Sequence, residues 1–300
     1  MIDIVVEKWK KNYVYSIQNQ LFSKNNCRPL SLILKTHKYA GLPFVLVAAG
    51  PSLDKNIGVL KEYASRCIIV CADVVLFKLL EHGIKPDFLV SIDPDELIWH
   101  YTQDLDTTEI TFIAPTTVYP KAIEAWKGNV AFFNQEDIPK SSKQQLLKNL
   151  TGPTSQYTSI LNRFFVGATA FQISCLLGAS SCIFVGYDFA HTDNKPYCEG
   201  VLERKLGPAL EILRPDECKV DRIYKIKDEE IPTTKLLLFY KKTLLDLIRK
   251  ARKPIINCTE GGIMREIPCA PLDQILVKVC TKEIPRVDLF KIESRRRKRK

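Results

Sequence analysis

The residues best suited to chemistry in this chain gather where short apolar runs end. Ala48-Ala49-Gly50-Pro51-Ser52-Leu53-Asp54 closes one such run and opens a helical stretch. A helix start offers unpaired amides and a partial positive charge, and glycine lets a phosphate approach the backbone closely. Gly50, Pro51 and Ser52 are therefore candidate phosphate contacts. The competing reading is an ordinary turn in which Ser52 is a helix N-cap. The segment is neither a Walker loop nor a GxGxxG fingerprint, so neither P-loop chemistry nor a dinucleotide is directly indicated.

Asp73, Asp87 and Asp93 also follow apolar runs, where ligands of open α/β sheets collect. Asp87, directly after Pro86, reads equally as a turn residue; Asp73 and Asp93 can contact a ligand or metal, or cap a helix. A third group is Gly167-Ala168-Thr169 at the start of an apolar helix, with Gly186-Tyr187-Asp188-Phe189-Ala190-His191 after the next strand. The second glycine turn can hold another part of the same ligand, and Asp188 or His191 can act as acid or base. Spacing pairs His191 with nothing, so it is read as a solvent-facing loop histidine as readily as a catalytic one. Last, Asn257-Cys258-Thr259-Glu260-Gly261-Gly262 follows a late strand. Its paired glycines permit positive φ, and Glu260 can approach an acceptor or sugar hydroxyl, or the segment can be a structural turn.

Alternating elements must position these groups. Val5, Trp9, Tyr13, Ile17 and Leu21 recur every four residues, predicting an amphipathic helix over about 4–21. A linker containing Pro29 and Gly41-Leu42-Pro43 follows. From Phe44 onward, apolar runs (FVLVAAG, CIIVC, FLVSID, TFIAP, VAFFN) alternate with helical stretches near 53–63 and 74–82. That is the grammar of a parallel sheet covered on both faces. A buried helix over 168–177 feeds a strand over 182–185, and a helix near 233–252 feeds a strand over 254–258. Between them, about 190–232 is polar and irregular, with the length of an active-site loop or lid. The expected fold is α/β, Rossmann-like: residues 1–42 as N-terminal helix and linker, 43–290 as the catalytic domain, and 291–300 as a basic tail.

At 300 residues and 46% hydrophobic content the chain can bury one large core, which excludes a disordered protein. Arg295, Arg296, Arg297, Lys298, Arg299 and Lys300 supply six positive charges against a net of +10. Such a run is a solvated tail or a contact for an anionic membrane surface or acidic partner. No groove-reading motif accompanies it, so no specific nucleic acid is expected. The ten cysteines form no CxxC and no Cys/His cluster, and no signal peptide is recognisable. Reduced thiols, no structural zinc and a cytoplasmic setting, peripheral to the inner membrane at most, are the expectation. Residues 164–186 carry no charge, but three glycines and a Gly-Ala-Ser-Ser break divide them into a helix and a strand rather than one membrane span.

Taken together, AAGPSLDKN, GIKPDFLVSIDP, FVGYDFAHTDNKPYCEG and INCTEGG resemble the motility-associated factor glycosyltransferases, which transfer nonulosonic acids to flagellin. The resemblance covers roughly residues 8–280. The core is also similar to the archaeal 6-hydroxymethylpterin pyrophosphokinase domain, and the GPS turn and GxDF element resemble bacterial CMP-sialic-acid sialyltransferases. The resemblance implies a Rossmann-like domain in which Gly50, Pro51 and Ser52 meet the nucleotide phosphate. Asp73 and Asp93 would meet the nucleoside, Gly167, Ala168 and Thr169 the same ligand from the other side, and Asp188 the reacting centre. Two departures stand out: Asp73 occupies the place of a sialyltransferase asparagine, and His191 is the last histidine in the chain.

The implied reaction moves a nonulosonic sugar from a CMP-activated donor to a hydroxyl of a flagellin-like protein or a glycan. Asp188, His191 or Glu260 would be the base, and Tyr187 or Tyr197 would assist the departing phosphate. That chemistry requires no cofactor. The alternative is ATP-dependent pyrophosphoryl transfer to a pterin alcohol, which requires Mg²⁺ on Asp93 and Asp188. A third reading is a nucleotide-sugar-binding protein without turnover.

Overall fold

A computed structural model describes residues 2–135, 154, 157–160, 165–203 and 215–286. Its centre is a nine-stranded parallel sheet: β1 (Cys27–Pro29), β2 (Pro43–Val47), β3 (Ile68–Ala72), β4 (Phe88–Val90), β5 (Thr111–Pro115), β6 (Val130–Gln135), β7 (Ser159–Ile160), β8 (Ser181–Val185) and β11 (Ile255–Asn257). The order is β1-β6-β5-β4-β3-β2-β8-β11, with β7 beside β6. Strands β2, β3, β5 and β8 are buried on both faces. That burial is why they read as continuous apolar runs rather than alternating ones.

Alternation survives inside those runs. Val45 and Val47 face one core, with Leu53, Ile57 and Leu60 of helix Leu53–Tyr63 and Leu272 and Leu276 of helix Leu272–Val279. Phe44 and Leu46 face the other, with Ala170, Phe171 and Ile173 of helix Val166–Leu176 and Leu244, Leu245 and Ile248 of helix Lys235–Ile248. Each fully buried side chain of this kind contributes about 1.5–3 kcal/mol. The fold is thus the expected Rossmann-like α/β arrangement.

Three expectations need correction. The Pro29 region is not a linker: Cys27, Arg28 and Pro29 pair with Val130, Ala131 and Phe132, extending the main sheet. Proline is tolerated there because the strand is at the edge. The N-terminal helix spans Ile2–Gln18 and buries Trp9 and Tyr13, but Ile17 is exposed. A four-residue repeat drifts by about 40° per step on a helix turning 100° per residue, which carries Ile17 off the buried face. The 190–232 stretch contains a two-stranded antiparallel sheet, β9 (Arg222–Ile226) and β10 (Glu229–Thr233), preceded by a turn of helix at Pro215–Cys218.

The charge-free stretch divides as read, into helix Val166–Leu176 and strand β8. Among the described residues no helix is long and apolar enough to cross a membrane. All ten cysteines are free thiols. The basic run 295–300 lies outside the described residues.

Candidate active site

The strand order defines where a ligand cleft forms. The chain steps outward from β2 through β3, β4 and β5 to β6, then returns to lay β8 against the other side of β2. The carboxyl ends of β2 and β8 therefore flank the topological switch point. A cavity of about 460 Å³ opens there. Gly50 follows β2, Asp73 follows β3, Asp93 follows β4, and Tyr187 and Asp188 follow β8; all of them line it, with Tyr197 from the loop beyond. The predicted residues at four strand ends are thus brought together.

Asp188 is the hub of this arrangement. It is 2% exposed. Its Oδ1 accepts from the Ser52 hydroxyl at 2.6 Å, and its Oδ2 accepts from the Ser52 amide at 3.2 Å and from the Thr192 hydroxyl. The Asp188 carbonyl accepts from the Ile263 amide at 2.9 Å, and the Gly262 amide reaches Thr192 Oγ1 at 3.1 Å. Three segments converge so tightly that glycine is required at two of them. A Cβ on Gly50 would stand 2.0 Å from Asp188 Oδ1 and 2.5 Å from the Gly186 carbonyl oxygen; one on Gly262, at φ +65°, would stand 2.0 Å from the Asp188 carbonyl oxygen. Burial pushes the Asp188 carboxyl up to about 6, opposed by its bonds to Ser52 and Thr192.

This geometry revises the role expected of the GPS turn. The Gly50 amide donates to Gly186 O at 2.9 Å, Pro51 has no amide hydrogen, the Ser52 amide donates to Asp188, and the Leu53 amide donates to Gly50 O at 3.0 Å. The amides expected to cradle a phosphate are spent inside the protein. Nor is Ser52 a side-chain cap: its hydroxyl is fully buried and turned to Asp188. What the turn contributes to the cavity is Gly50 in its wall.

Asp73 and Asp93 are linked by Ser91, which the sequence reading did not single out. The Ser91 hydroxyl, fully buried, donates to Asp73 Oδ2 and accepts from the Asp93 amide at 3.3 Å. Asp73 Oδ1 accepts from the Val74 amide at 2.8 Å, and Asp93 Oδ1 from the Asp95 amide at 3.0 Å. The N-terminal helix braces this loop. Asn12 donates to Pro94 O at 2.9 Å, Lys8 pairs with Asp95, and Trp9 joins the cavity wall. Ser91 is signalled in sequence only by the alternation of SID after a strand.

Other predicted residues lie off the cavity. His191 is 3% exposed rather than solvent-facing, because its Nε2 donates to the Glu217 carbonyl at 2.8 Å and its amide to Pro232 O at 2.8 Å. Glu260, at φ +57°, accepts the Leu272 amide at 2.8 Å and so caps helix Leu272–Val279. Gly167, Ala168 and Thr169 are buried in the first turn of helix Val166–Leu176, and it is Phe165 and Val166 that face the cavity. Asp87 sits at the opposite end of the sheet: it accepts the Ile69 amide at 2.8 Å and pairs with Arg286.

The cavity has a distinct chemistry. Asp73, Asp93, Asp95, Asp188, Asp216 and Glu217 line it, and no lysine, arginine or histidine does so among the described residues. Its remaining walls are largely apolar or aromatic, including Leu236, Leu237 and Tyr240 of helix Lys235–Ile248. Among the described residues no group of three or more His, Cys, Asp or Glu side chains is arranged to hold a metal ion. Both oxygens of Asp188 already accept hydrogen bonds, which fits a structural carboxylate better than the magnesium ligand of the pyrophosphoryl-transfer reading. Asp93 fits that role better, since magnesium is held by one or two carboxylates together with substrate phosphates.

A doubly wound parallel sheet with a carboxylate-lined cavity at its switch point defines the class: a Rossmann-like α/β protein whose candidate ligand cavity opens at the carboxyl ends of β2 and β8. The chain belongs to the 6-hydroxymethylpterin diphosphokinase MptE-like family, whose sequence description matches residues 17–194. No curated protein matches the chain. Among solved structures, the MAf glycosyltransferase from Magnetospirillum magneticum AMB-1 is similar, with a TM-score of 0.56 and 18% identity over 88% of this chain. The chain spans 40% of that protein's length. At this identity the likeness is one of fold.

Proposed function

We propose that this protein is a transferase that takes its group from a nucleotide-activated donor bound in the switch-point cavity, and that it acts as a glycosyltransferase. The observation that carries the reading is the cavity itself, with the carboxylates of Asp73 and Asp93 at its wall and Gly50 at the β2 end. Carboxylates accept hydrogen bonds from the hydroxyls of a ribose or sugar, while the apolar and aromatic walls suit a planar base. The fold shared with a glycosyltransferase over most of this chain supports the same reading. In its finer form the donor is a CMP-activated nonulosonic acid and the acceptor a hydroxyl of a protein or glycan, with Tyr197 near the departing phosphate.

A second reading is favoured by one observation. A cavity with six lining carboxylates and no lining cation among the described residues repels a bare phosphate, whereas a magnesium–polyphosphate complex brings its own positive charge. This supports ATP-dependent diphosphoryl transfer, as the family's description suggests. Asp93 is the carboxylate that suits holding such an ion, which would neutralise the developing charge on the transferred phosphoryl group.

Calorimetric titration with CMP, CDP, UDP and ATP, each with and without Mg²⁺, separates the readings. Preference for CMP without metal supports sugar transfer; Mg²⁺-dependent preference for ATP supports the kinase; binding of none of them removes the donor site. The basic run 295–300 is proposed to reach an anionic membrane surface. Sedimentation with phosphatidylserine vesicles, lost on deleting the run and at high salt, tests that proposal.

A further inference from the structure

A transfer to a hydroxyl, whether of a sugar or a phosphoryl group, needs a base for the acceptor proton. Of the three sequence candidates, Glu260 caps a helix, His191 is buried outside the cavity with its ring nitrogen donated to a backbone carbonyl, and Asp188 holds three donors from Ser52 and Thr192. A different carboxylate is presented where those three are not.

We propose that Glu217 is the general base of the transfer reaction, held in place by Tyr197 and His191. Glu217 is half-buried and lines the same cavity as the residues at the carboxyl ends of β2 and β8. Two contacts define its position. The Tyr197 hydroxyl donates to Glu217 Oε2, and His191 Nε2 fixes the backbone by donating to the Glu217 carbonyl. Tyr197 is itself anchored to the nucleotide side of the site. The neighbouring Cys198 amide donates to Ala49 O at 2.9 Å, the Glu199 amide reaches Asp54 Oδ2 at 3.0 Å, and buried Lys78 ties the Glu199 carbonyl (2.9 Å) to the Asp54 carboxylate (2.7 Å). The loop that carries Tyr197 is therefore part of the same rigid unit as the GPS turn, and it sets the Glu217 carboxylate against that unit. Asp216 beside it, Asp73, Asp93 and Asp188 at the strand ends, and Asp95 are the other carboxylates lining the cavity.

In the step, the acceptor O–H proton passes to the Glu217 carboxylate as the acceptor oxygen bonds to the donor's reacting carbon or phosphorus. The donor's bond to its leaving oxygen breaks, and that electron pair stays with the departing nucleotide. Glu217 then returns the proton to solvent. Tyr197 acts through Glu217 as a positioning residue. The inference rests on the transferase reading and holds for either donor. Glu217 and Tyr197 both lie outside the segment matched by the family description.

The test uses the full chain, with CMP-N-acetylneuraminate and Mg²⁺–ATP as donors and water as acceptor, following nucleotide release. Glu217→Gln is expected to lower kcat about 10²–10⁴-fold with nucleotide affinity within about threefold of wild type, and Glu217→Asp to recover part of the loss. Tyr197→Phe is expected to lower kcat about tenfold with the donor KM unchanged. Glu260→Ala, outside the cavity, serves as the control. A wild-type protein that releases nucleotide from neither donor removes the transferase reading and this inference with it. A wild-type protein that turns over while Glu217→Gln retains its kcat overturns Glu217 alone. If Glu217→Gln loses stability and donor affinity together with kcat, the Tyr197–Glu217 contact is only a latch, and the inference also fails.

Discussion

Ser52 and Asp188, 136 residues apart in sequence, are joined by two hydrogen bonds, one from the serine hydroxyl at 2.6 Å and one from its amide at 3.2 Å. This pair closes the switch point: it locks the turn after β2 to the loop after β8 and orients both toward one cavity.

The burial of Asp188 makes stability depend on pH. Asp188 is raised from 3.8 to about 6 by burial. A raised carboxyl contributes stability that is fully present below the unfolded value, near pH 4, and is lost as pH rises through about 6. The component is worth roughly 3 kcal/mol. Asp87, also raised to about 6 by burial, adds its own slope in every variant unless it is itself replaced. The difference between wild type and Asp188→Asn therefore isolates Asp188. Urea midpoints from pH 4 to 8 should show the wild-type advantage shrinking as pH rises; a constant difference would refute the assignment.

Gly50→Ala places a methyl group 2.0 Å from Asp188 Oδ1 and 2.5 Å from a backbone oxygen. Backbone cannot rotate away, so the expected loss is about 1–3 kcal/mol or more. A melting temperature within a degree of wild type would show that the turn has room the geometry denies.

Lys78→Met removes the cation that bridges Asp54 and the Glu199 carbonyl. The side chain is buried, and the expected cost is about 1–3 kcal/mol. Freed from its anchor, the Tyr197 loop should become a new site of limited proteolysis near residues 195–200. Unchanged digestion would mean that the Cys198 and Glu199 amides hold it without Lys78.

Glu260→Ala removes the acceptor for the Leu272 amide. A helix cap of this kind is worth about 1 kcal/mol. Thermal denaturation should register that loss while nucleotide affinity stays within twofold; a large loss of affinity would return Glu260 to the site.

Much of this protein was legible in its sequence. The runs around Phe44, Ile68, Thr111, Val130 and Cys182 announce buried parallel strands because both their faces are covered, and β2, β3, β5, β6 and β8 lie there. Gly50, Asp73, Asp93 and Asp188 could be picked out for the same reason: each stands at a strand's carboxyl end, which is a local property. The strand at Cys27–Pro29 was not legible, since three residues at a sheet edge carry no periodicity, and neither was the hairpin of β9 and β10, whose strands are mostly exposed.

What only the tertiary structure decided is who meets whom. Sequence types made Ser52 an N-cap or phosphate contact, His191 a loop residue and Glu260 a candidate base. Each was reassigned by a partner in another segment of the chain: Asp188, Glu217 and the Leu272 amide, respectively. Residue type and spacing specify what a side chain can bond and where its own strand or helix ends. The partner it bonds is set by strand order, and that order is decided by how the whole sheet buries its two faces.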